Sequence, residues 1–388
     1  MRIVYILHSS NPYEGSSKAF LSYIYRIKET GITPLVIVPG MKGIGQQLVS
    51  SGISVSALNY RTATYPKVKT IKDLLLWFPR LCGRIYVNTK ASNQLSAICR
   101  KFNAQLIHTN VSVVDIGYRA SRKLNIPHLW HIREYGDMDF GYHYYFSRKQ
   151  QLARYHTPQS YTICITKGIQ QHQGLANTPT SKVIYDGAIG ATPLDISHHE
   201  SGYFLFVGRI EKAKGIEPLI DAYAMYHERC KNPLPLYVAG DTPNTLYKQQ
   251  IKDKINGYGL EKDILLLGMR DNVAQLYMGA KALIMSSLSE GFGLVTAEAM
   301  NAGCPVIGYD TAGTKEQFDN GKEKCGHEIA LRYTTTEQLV QHMTDVTNAP
   351  CDYYDSMRVA AKNVVDELYT KENNAKQIIQ FYREILPA

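Results

Sequence analysis

The amino-acid sequence predicts an α/β protein of two doubly wound units, each a parallel sheet covered by helices on both faces. Three observations carry this. The chain has 388 residues, more than the roughly 250–300 that one hydrophobic core organises, so two domains are expected. Short runs rich in Val, Ile and Leu alternate with helix-length stretches, the pattern of parallel strands buried on both faces and joined by crossover helices. The runs fall into two series, parted by residues 187–201, where Gly, Pro, Ser and Asp recur without a sustained hydrophobic period.

In the first series the expected strands are Ile3–Leu7, Pro34–Val38, Ile53–Leu58, Leu106–His108, His128–Ile132, Tyr161–Ile165 and Val183–Tyr185. In the second they are Tyr203–Val207, Leu236–Ala239, Ile264–Leu267, Ala282–Met285 and Pro305–Gly308. The last stretch, from about Tyr369 to Leu386, places Ala375, Ile378, Ile379 and Phe381 at helical spacing. The expected organisation is a Rossmann-like domain over 1–190, a second over 191–368 and a C-terminal helix over 369–388. Ligands of open α/β sheets bind beyond the carboxyl ends of the strands, so two such units imply one inter-domain cleft that holds the function.

Hydrophobic residues make up 44% and charged residues 20% of the chain, near the average of folded soluble proteins, which excludes disordered, collagen-like and disulfide-scaffold classes. The seven cysteines (Cys82, Cys99, Cys164, Cys230, Cys304, Cys325 and Cys351) form no CxxC pair and are expected to be reduced core residues of a cytosolic protein. No apolar run approaches the roughly 18–20 residues of a membrane span, and the first strand stops at His8, too short for a signal-peptide core. A cytoplasmic location is expected. The net charge of +9 is uneven: residues 1–200 carry 23 Lys and Arg against 10 Asp and Glu, residues 201–388 carry 20 against 24. Such a basic half attracts phosphates or an anionic membrane. No RNP, helix-turn-helix or zinc signature points to nucleic acid.

Two loops of the second half carry chemistry. The first follows its opening strand: Phe204-Leu-Phe-Val-Gly208-Arg209-Ile-Glu-Lys-Ala-Lys214-Gly215. Arg209 and Lys214 stand at the carboxyl end of a strand, ahead of a helix with Ile216, Leu219, Ile220 and Tyr223 at core spacing, where both reach one phosphate-bearing ligand. The second loop is Ser286-Ser-Leu-Ser-Glu290-Gly-Phe-Gly293-Leu-Val-Thr-Ala-Glu298-Ala-Met-Asn-Ala-Gly303-Cys-Pro305. Its glycines permit close backbone approach, and a short helix from about Leu294 presents an anion-binding N-terminus. Glu290 precedes that helix and Glu298 lies a turn inside it, about 12 Å apart at 1.5 Å per residue, so the two acids touch different parts of a ligand. In the first half, His8-Ser-Ser-Asn-Pro-Tyr-Glu-Gly15 enters a helix with a single glycine, which removes the GxGxxG fingerprint of a dehydrogenase.

Taken together, VGRI with the following Lys and Gly, Glu290 with GFG, EAM around Glu298 and AGCPVI resemble the retaining nucleotide-sugar glycosyltransferases of family 4, which have the GT-B fold. The likeness is strong over most of residues 200–320 and weak in the N-terminal half. It implies that Arg209 and Lys214 bind the donor diphosphate and stabilise the departing nucleoside diphosphate, as a metal does in other transferases. It further implies that Glu298 receives the ribose hydroxyls and Glu290 those of the donor sugar. By the same resemblance the N–H groups of Phe292, Gly293 and Leu294 meet sugar and phosphate, and Gly268-Met269-Arg270 lies against the base. His131, in Trp130-His-Ile-Arg-Glu134, looks like the family histidine beside the donor sugar, with its main-chain carbonyl facing positive charge at the anomeric carbon. Arg133 and Glu134 would shape the acceptor side, Gly15 would adjoin the diphosphate, and the C-terminal helix would act as a strap in domain closure. The implied donor is a UDP- or GDP-sugar and the implied acceptor a hydroxyl, in cell-surface polysaccharide or glycan biosynthesis. No metal or other cofactor is expected.

Asp137-Met-Asp139 spells DxD, the metal-binding signature of the other glycosyltransferase fold, but stands in the wrong domain and is expected to be a polar turn. The histidines, His198-His199 included, show no paired ligand spacing. Residues 61–90 hold Arg61, Lys67, Lys69, Lys72, Arg80, Arg84 and Lys90 against Asp73 alone, interleaved with Leu74, Leu75, Leu76, Trp77, Phe78 and Tyr86. That composition suits peripheral contact with the anionic inner face of a membrane, and equally a partly buried helix with a solvated basic face. The first reading makes the acceptor a lipid-linked saccharide. Two other functions stay open: a nucleotide-sugar epimerase of the same fold, and a non-catalytic nucleotide-sugar-binding subunit.

Overall fold

A computed structural model of the chain describes residues 1–66, 68, 70–187 and 202–387. The chain divides into two compact units, Met1–Gly187 with Lys371–Ala388, and Ala188–Thr370. The first unit runs β1 (Arg2–Ile6), α1 (Gly15–Lys28), β2 (Thr33–Val38), α2 (Ile44–Ser50), β3 (Ser54–Ala57), α3 (Ile71–Leu75), α4 (Trp77–Phe102), β4 (Leu106–Thr109), α5 (Ile116–Leu124), β5 (His128–Ile132), α6 (Asp137–Phe140), α7 (Arg148–Tyr155), β6 (Ser160–Cys164), α8 (Lys167–His172) and β7 (Ser181–Val183). The second runs β8 (Phe204–Val207), a 3-10 turn at Lys212–Lys214, α9 (Ile216–Arg229), β9 (Leu236–Ala239), α10 (Thr245–Gly257), β10 (Ile264–Gly268), α11 (Val273–Gly279), β11 (Ala282–Met285), α12 (Leu294–Asn301), β12 (Val306–Tyr309), α13 (Ala312–Cys325), β13 (Leu331–Tyr333), α14 (Thr336–Asn348) and α15 (Asp355–Leu368). The closing helix α16 (Lys371–Ile385) returns to the first unit.

All strand pairs of both sheets are parallel. The first sheet has the order β3-β2-β1-β4-β5-β6-β7 and the second β10-β9-β8-β11-β12-β13. Strand order therefore reverses beside β1 and again beside β8. At such switch points successive crossovers leave to opposite faces, and ligands of open sheets bind beside the loops that follow the two strands. In the second unit those are the loops after β8 and β11, which carry Arg209, Lys214 and Glu290.

Alternation along β1 shows why helices cover both faces. Ile3 and Tyr5 pack with α1, α2 and α16 on one side, and Val4 and Ile6 pack with α4 and α5 on the other. Helix α16 buries Ala375, Ile378, Phe381 and Tyr382 in the cluster that holds Phe20, Tyr23, Ile24 and Ile27 of α1. Ion pairs Arg26–Glu372 and Lys182–Glu384 fasten its two ends.

Several details differ from the sequence reading. Strand β7 begins two residues earlier than Val183, and β13 was not foreseen, because Arg332 interrupts its three residues. At that sheet edge Arg332 pairs with Asp310, Asp319 and Glu328. The cysteines are all free thiols, but only Cys99, Cys164, Cys230 and Cys304 are buried. Cys82 and Cys351 are exposed and Cys325 is half-buried, since they fall on helix faces or turns that no other element covers. The DxD residues form the short helix α6, where Asp137 pairs with Arg148 at 2.7 Å and His172 at 2.8 Å. Asp139 accepts the N–H groups of Tyr135 and Gly136 at 2.9 and 2.7 Å. The expected seam beyond Gly187, Lys67, Lys69 and His198-His199 lie outside the described residues. Among the described residues no helix is long and apolar enough to cross a membrane, and no group of three or more His, Cys, Asp or Glu is placed to hold a metal ion.

Candidate functional site

In the second unit, β8 ends at Val207 and the chain turns through Arg209 into the 3-10 turn that carries Lys214. Gly215 then adopts a left-handed conformation, φ +67°, and starts α9. A Cβ at this position would lie 1.9 Å from the main-chain oxygen of Ser286, so glycine is what lets the loops after β8 and β11 touch. They are joined further by the Ser286 Oγ hydroxyl donating to the Lys214 carbonyl at 2.9 Å and by the Leu288 N–H donating to the Ala213 carbonyl at 3.1 Å. This contact delivers the Lys214 ammonium to Glu290, Nζ to Oε1 2.5 Å, with both side chains largely buried.

The loop continues through Gly291-Phe-Gly293 into α12. Gly293 has φ +90°, and helix α13 holds the segment in place. Gln317 Nε2 donates to the carbonyls of Phe292 and Gly293 at 2.6 and 3.1 Å, and the Gly313 N–H donates to the Glu290 carbonyl at 3.0 Å. The Phe292 ring stacks edge-on against Tyr369, centroids 5.1 Å apart, so that residue offers a ligand its main chain rather than its side chain. Beside Gly293, the buried atoms Thr296 Oγ1, Thr314 Oγ1 and Gln317 Oε1 have no hydrogen-bond partner among the described residues. Buried polar atoms without partners are costly, so three of them beside a helix N-terminus mark a place for a polar ligand or water.

Glu298, one turn into α12, accepts a hydrogen bond from the Tyr277 hydroxyl at 3.1 Å. Burial, reinforced by Glu298 itself, holds that phenol well above its ordinary pKa, so it remains a donor. Arg209 stands on the same loop as Lys214, largely exposed, with an ion pair to Glu211 at 3.0 Å. Met269 and Arg270 follow β10, two strands from β8, and are exposed. The structure thus joins Lys214, Glu290, Gly293 and the start of α12 at Leu294. Sequence reasoning missed Tyr277, Ser286, Gly313 and Gln317; the one local signal was the Ala-Gly-Thr start of α13 immediately after a strand.

In the first unit, Gly15 is the first residue of α1, and none of the described residues comes within 4 Å of where a Cβ would stand. His131, near the end of β5, is fully buried. Its Nδ1 shares a hydrogen bond with His108 Nε2 at 3.2 Å and faces an Arg133 guanidinium nitrogen at 3.4 Å, while its Nε2 has no partner. His108 is bonded in turn to the Tyr382 hydroxyl of α16 at 2.6 Å. Arg133 is buried against Asp186 and Asn110, and Glu134 accepts from the Ser112 N–H and hydroxyl at 2.8 and 2.7 Å. Arg133 and Glu134 therefore organise the interior of the unit rather than present charge outward.

Burial, followed by Arg133 and the neighbouring histidine, pulls His108 and His131 well below the ordinary histidine value. Burial and then Arg122 pull His128 down to about 3. All three are neutral near pH 7. A group whose pKa is depressed by folding stabilises the native state above its unfolded value, about 6.5 for histidine, and that contribution drains away as the pH falls toward the folded value. Buried Glu134 and Asp139, raised mainly by desolvation, act in the opposite sense. The melting temperature is therefore expected to fall from pH 7 to pH 5, and less steeply in His128→Asn. Equal slopes for the two proteins in a calorimetric pH series would contradict the assignment.

Residues 196–364 match the model of the family described as Glycosyl transferases group 1. An uncharacterized glycosyltransferase of Methanocaldococcus jannaschii is 27% identical over 60% of this chain and 62% of its own length. N-acetyl-alpha-D-glucosaminyl L-malate synthase of Bacillus anthracis is 26% identical over 47% of this chain and 45% of its own. The chain thus spans less than two thirds of these curated relatives. The crystal structure of Anabaena HepE in complex with UDP superposes with a TM-score of 0.76 over 99% of this chain and 100% of that chain, at 19% identity. The two parallel-sheet units are those of the GT-B fold.

Proposed function

We propose that this chain is a glycosyltransferase that moves a sugar from a UDP- or GDP-sugar to a hydroxyl acceptor with retention of anomeric configuration. The observation that carries the reading is the Lys214–Glu290 pair on the segment that enters α12, where three buried polar atoms lack partners among the described residues. A helix N-terminus with an adjacent lysine suits a diphosphate. Lys214 and Arg209 would neutralise charge on the departing nucleoside diphosphate, so the reading asks for no resident metal. The N–H groups of Gly293 and Leu294, with the main chain at Phe292, receive phosphate and sugar, and Glu290 a sugar hydroxyl. Glu298, steadied by Tyr277, takes the ribose, and the loop at Met269 and Arg270 takes the base. His131 and Gly15 are assigned to the sugar and diphosphate from the family resemblance, His131 acting as a neutral hydrogen-bonding group. In the step itself the bond from the anomeric carbon to the diphosphate breaks, the acceptor oxygen bonds to the same face, and its proton passes to a donor phosphate oxygen. The acceptor in this reading is a lipid-linked saccharide reached at an anionic membrane through residues 61–90.

The test is a melting-temperature screen against nucleoside diphosphates and nucleotide sugars, followed by product analysis with saccharide acceptors. A ligand at 100 times its Kd adds about 2.7 kcal/mol of stability. Selective stabilisation by one nucleotide and an axial or equatorial product bond matching that of the donor are expected. Release of free diphosphate without glycosylated product would favour an epimerase, and tight binding without turnover a binding subunit. Tyr277→Phe provides a narrower check. Losing one hydrogen bond to a charged group, about 1.5 kcal/mol, should raise the donor KM about tenfold with little change in kcat. An unchanged KM would remove Tyr277 from the site.

A further inference from the structure

Helix α3 contains Ile71, Leu74 and Leu75, and none of its residues is buried. It is nevertheless a formed element: the Thr70 hydroxyl accepts the Asp73 N–H at 3.2 Å, and Asp73 accepts the Thr70 N–H at 3.1 Å, a reciprocal cap. In α4 the buried residues begin only at Asn88, so the first turns also lie outside the core. Residue exposure there reaches 81% at Ile71, 64% at Leu74, 76% at Leu75 and 67% at Phe78, with Tyr86 at 69%. Trp77 stacks on Tyr65 at 5.2 Å beside them. A capped helix of exposed leucine and isoleucine contributes nothing to the interior, and soluble monomers rarely expose an apolar patch of this extent without a use for it.

The cations around the patch decide what covers it. Lys72, Arg80 and Lys90 are exposed on the same two helices. The sole acid, Asp73, is spent on the cap and on Arg80, 2.5 Å away. Arg84, half-buried and donating to Thr62 and Thr64, is held below its ordinary pKa by burial and then by Arg61 and Arg80, so positive charge crowds at this end of α4. A second copy of the chain, placed symmetrically on this patch, would set these cations against themselves. A bilayer rich in acidic phospholipid offers what both features require, hydrocarbon for the leucines and phosphates for the cations, with the aromatic pair at the headgroup level.

We propose that α3 and the first turns of α4 form a docking face for anionic bilayers, with Ile71, Leu74, Leu75 and Phe78 entering the acyl boundary and Lys72 and Arg80 holding lipid phosphate. This rests on the membrane-borne acceptor in the proposed function and names the surface that would reach it. The experiment is flotation of the full chain with vesicles of equal parts phosphatidylglycerol and phosphatidylcholine, against pure phosphatidylcholine, at low and at 0.5 M salt. Binding to the anionic vesicles at least tenfold above the neutral ones, weakened by salt, is expected. A tenfold loss is expected in Leu75→Ser/Phe78→Ser and in Lys72→Glu/Arg80→Glu, each with an unchanged melting temperature and nucleotide response. No vesicle binding, or equal binding to both compositions, overturns the proposal. So does a dimer in light scattering that Leu75→Ser/Phe78→Ser dissolves, which would make the patch a contact between copies. The nucleotide response separates the two questions: its absence in the wild-type chain, with vesicle binding intact, would sink the donor reading and leave the docking face standing.

Discussion

Lys214→Ala is expected to lower turnover about 10²–10³-fold, the effect of removing one preorganised group from charge that develops in a transition state. The structure adds a reason for the loss to extend to binding. Lys214 and Glu290 are bonded to each other at 2.5 Å, with side chains 22% and 15% exposed. A diphosphate entering at α12 must draw the ammonium from the carboxylate, or share it. Without Lys214, the Glu290 carboxylate faces the incoming anion uncompensated, so donor affinity should fall together with kcat. Glu290→Gln separates the two effects. The amide keeps the shape but no longer holds the lysine as an ion pair, so nucleoside diphosphate should bind more tightly, while turnover falls as the contact with the sugar hydroxyl weakens. In the double variant much of the affinity lost in Lys214→Ala should return, because the repulsive charge is gone, and the coupling energy of the cycle then measures the pair. Near-normal turnover in Lys214→Ala, with a saturating nucleotide sugar and an active acceptor, would remove the lysine from the chemistry. Arg209→Ala tests the leaving-group role from the other side. Its side chain is 56% exposed and, among the described residues, pairs only with Glu211, so its loss should reduce turnover while leaving the melting temperature unchanged.

What the chain reveals by itself follows from the range of the interactions involved. Strands such as Leu236–Ala239 and Ala282–Met285 are legible because burial on both faces demands an unbroken apolar run. Arg209, Lys214, Glu290 and Glu298 are legible because a strand end and a helix start set their positions locally. Gln317 is not, since its role is to hold two carbonyls some 25 residues earlier in the chain, and an isolated glutamine in a helix gives no sign of it. Tyr277 is equally silent: one tyrosine among 28, distinguished only because α11 brings its hydroxyl to Glu298. The burial of His131 could not be read either. A histidine at a strand end reads the same whether it meets solvent, a ligand or, as here, His108 and Arg133. Strand β13 escaped because a charged residue on a sheet edge erases the alternation on which strand recognition depends, and the acids that pair with Arg332 come from two other segments and from Glu328 just ahead of it.

Gly215→Ala is expected to destabilise the second unit strongly and to disable its anion site. At φ +67° an L side chain is strained by about 1–2 kcal/mol, and here the added carbon would also stand 1.9 Å from the Ser286 oxygen and 2.8 Å from its carbonyl carbon. No flexible side chain can swing aside, because the obstacle is main chain at the end of β11. Relief requires the loops after β8 and β11 to separate, and that motion breaks the Ser286 to Lys214 and Leu288 to Ala213 hydrogen bonds. Strain and overpacking together amount to about 3 kcal/mol, which lowers the melting temperature of a unit of this size by about 6–12 °C. The separation also carries Lys214 away from Glu290 and from the start of α12, so the stabilisation by nucleoside diphosphate should vanish even well below the new melting point. Gly257→Ala is the control, since it ends α10 with nothing within 4 Å of a Cβ and no positive φ, and it should leave stability equal or slightly higher. If Gly215→Ala melted within a degree of the parent and kept its nucleotide response, the close apposition of the two loops would not be what positions the lysine, and the anion site would have to be built from α12 alone.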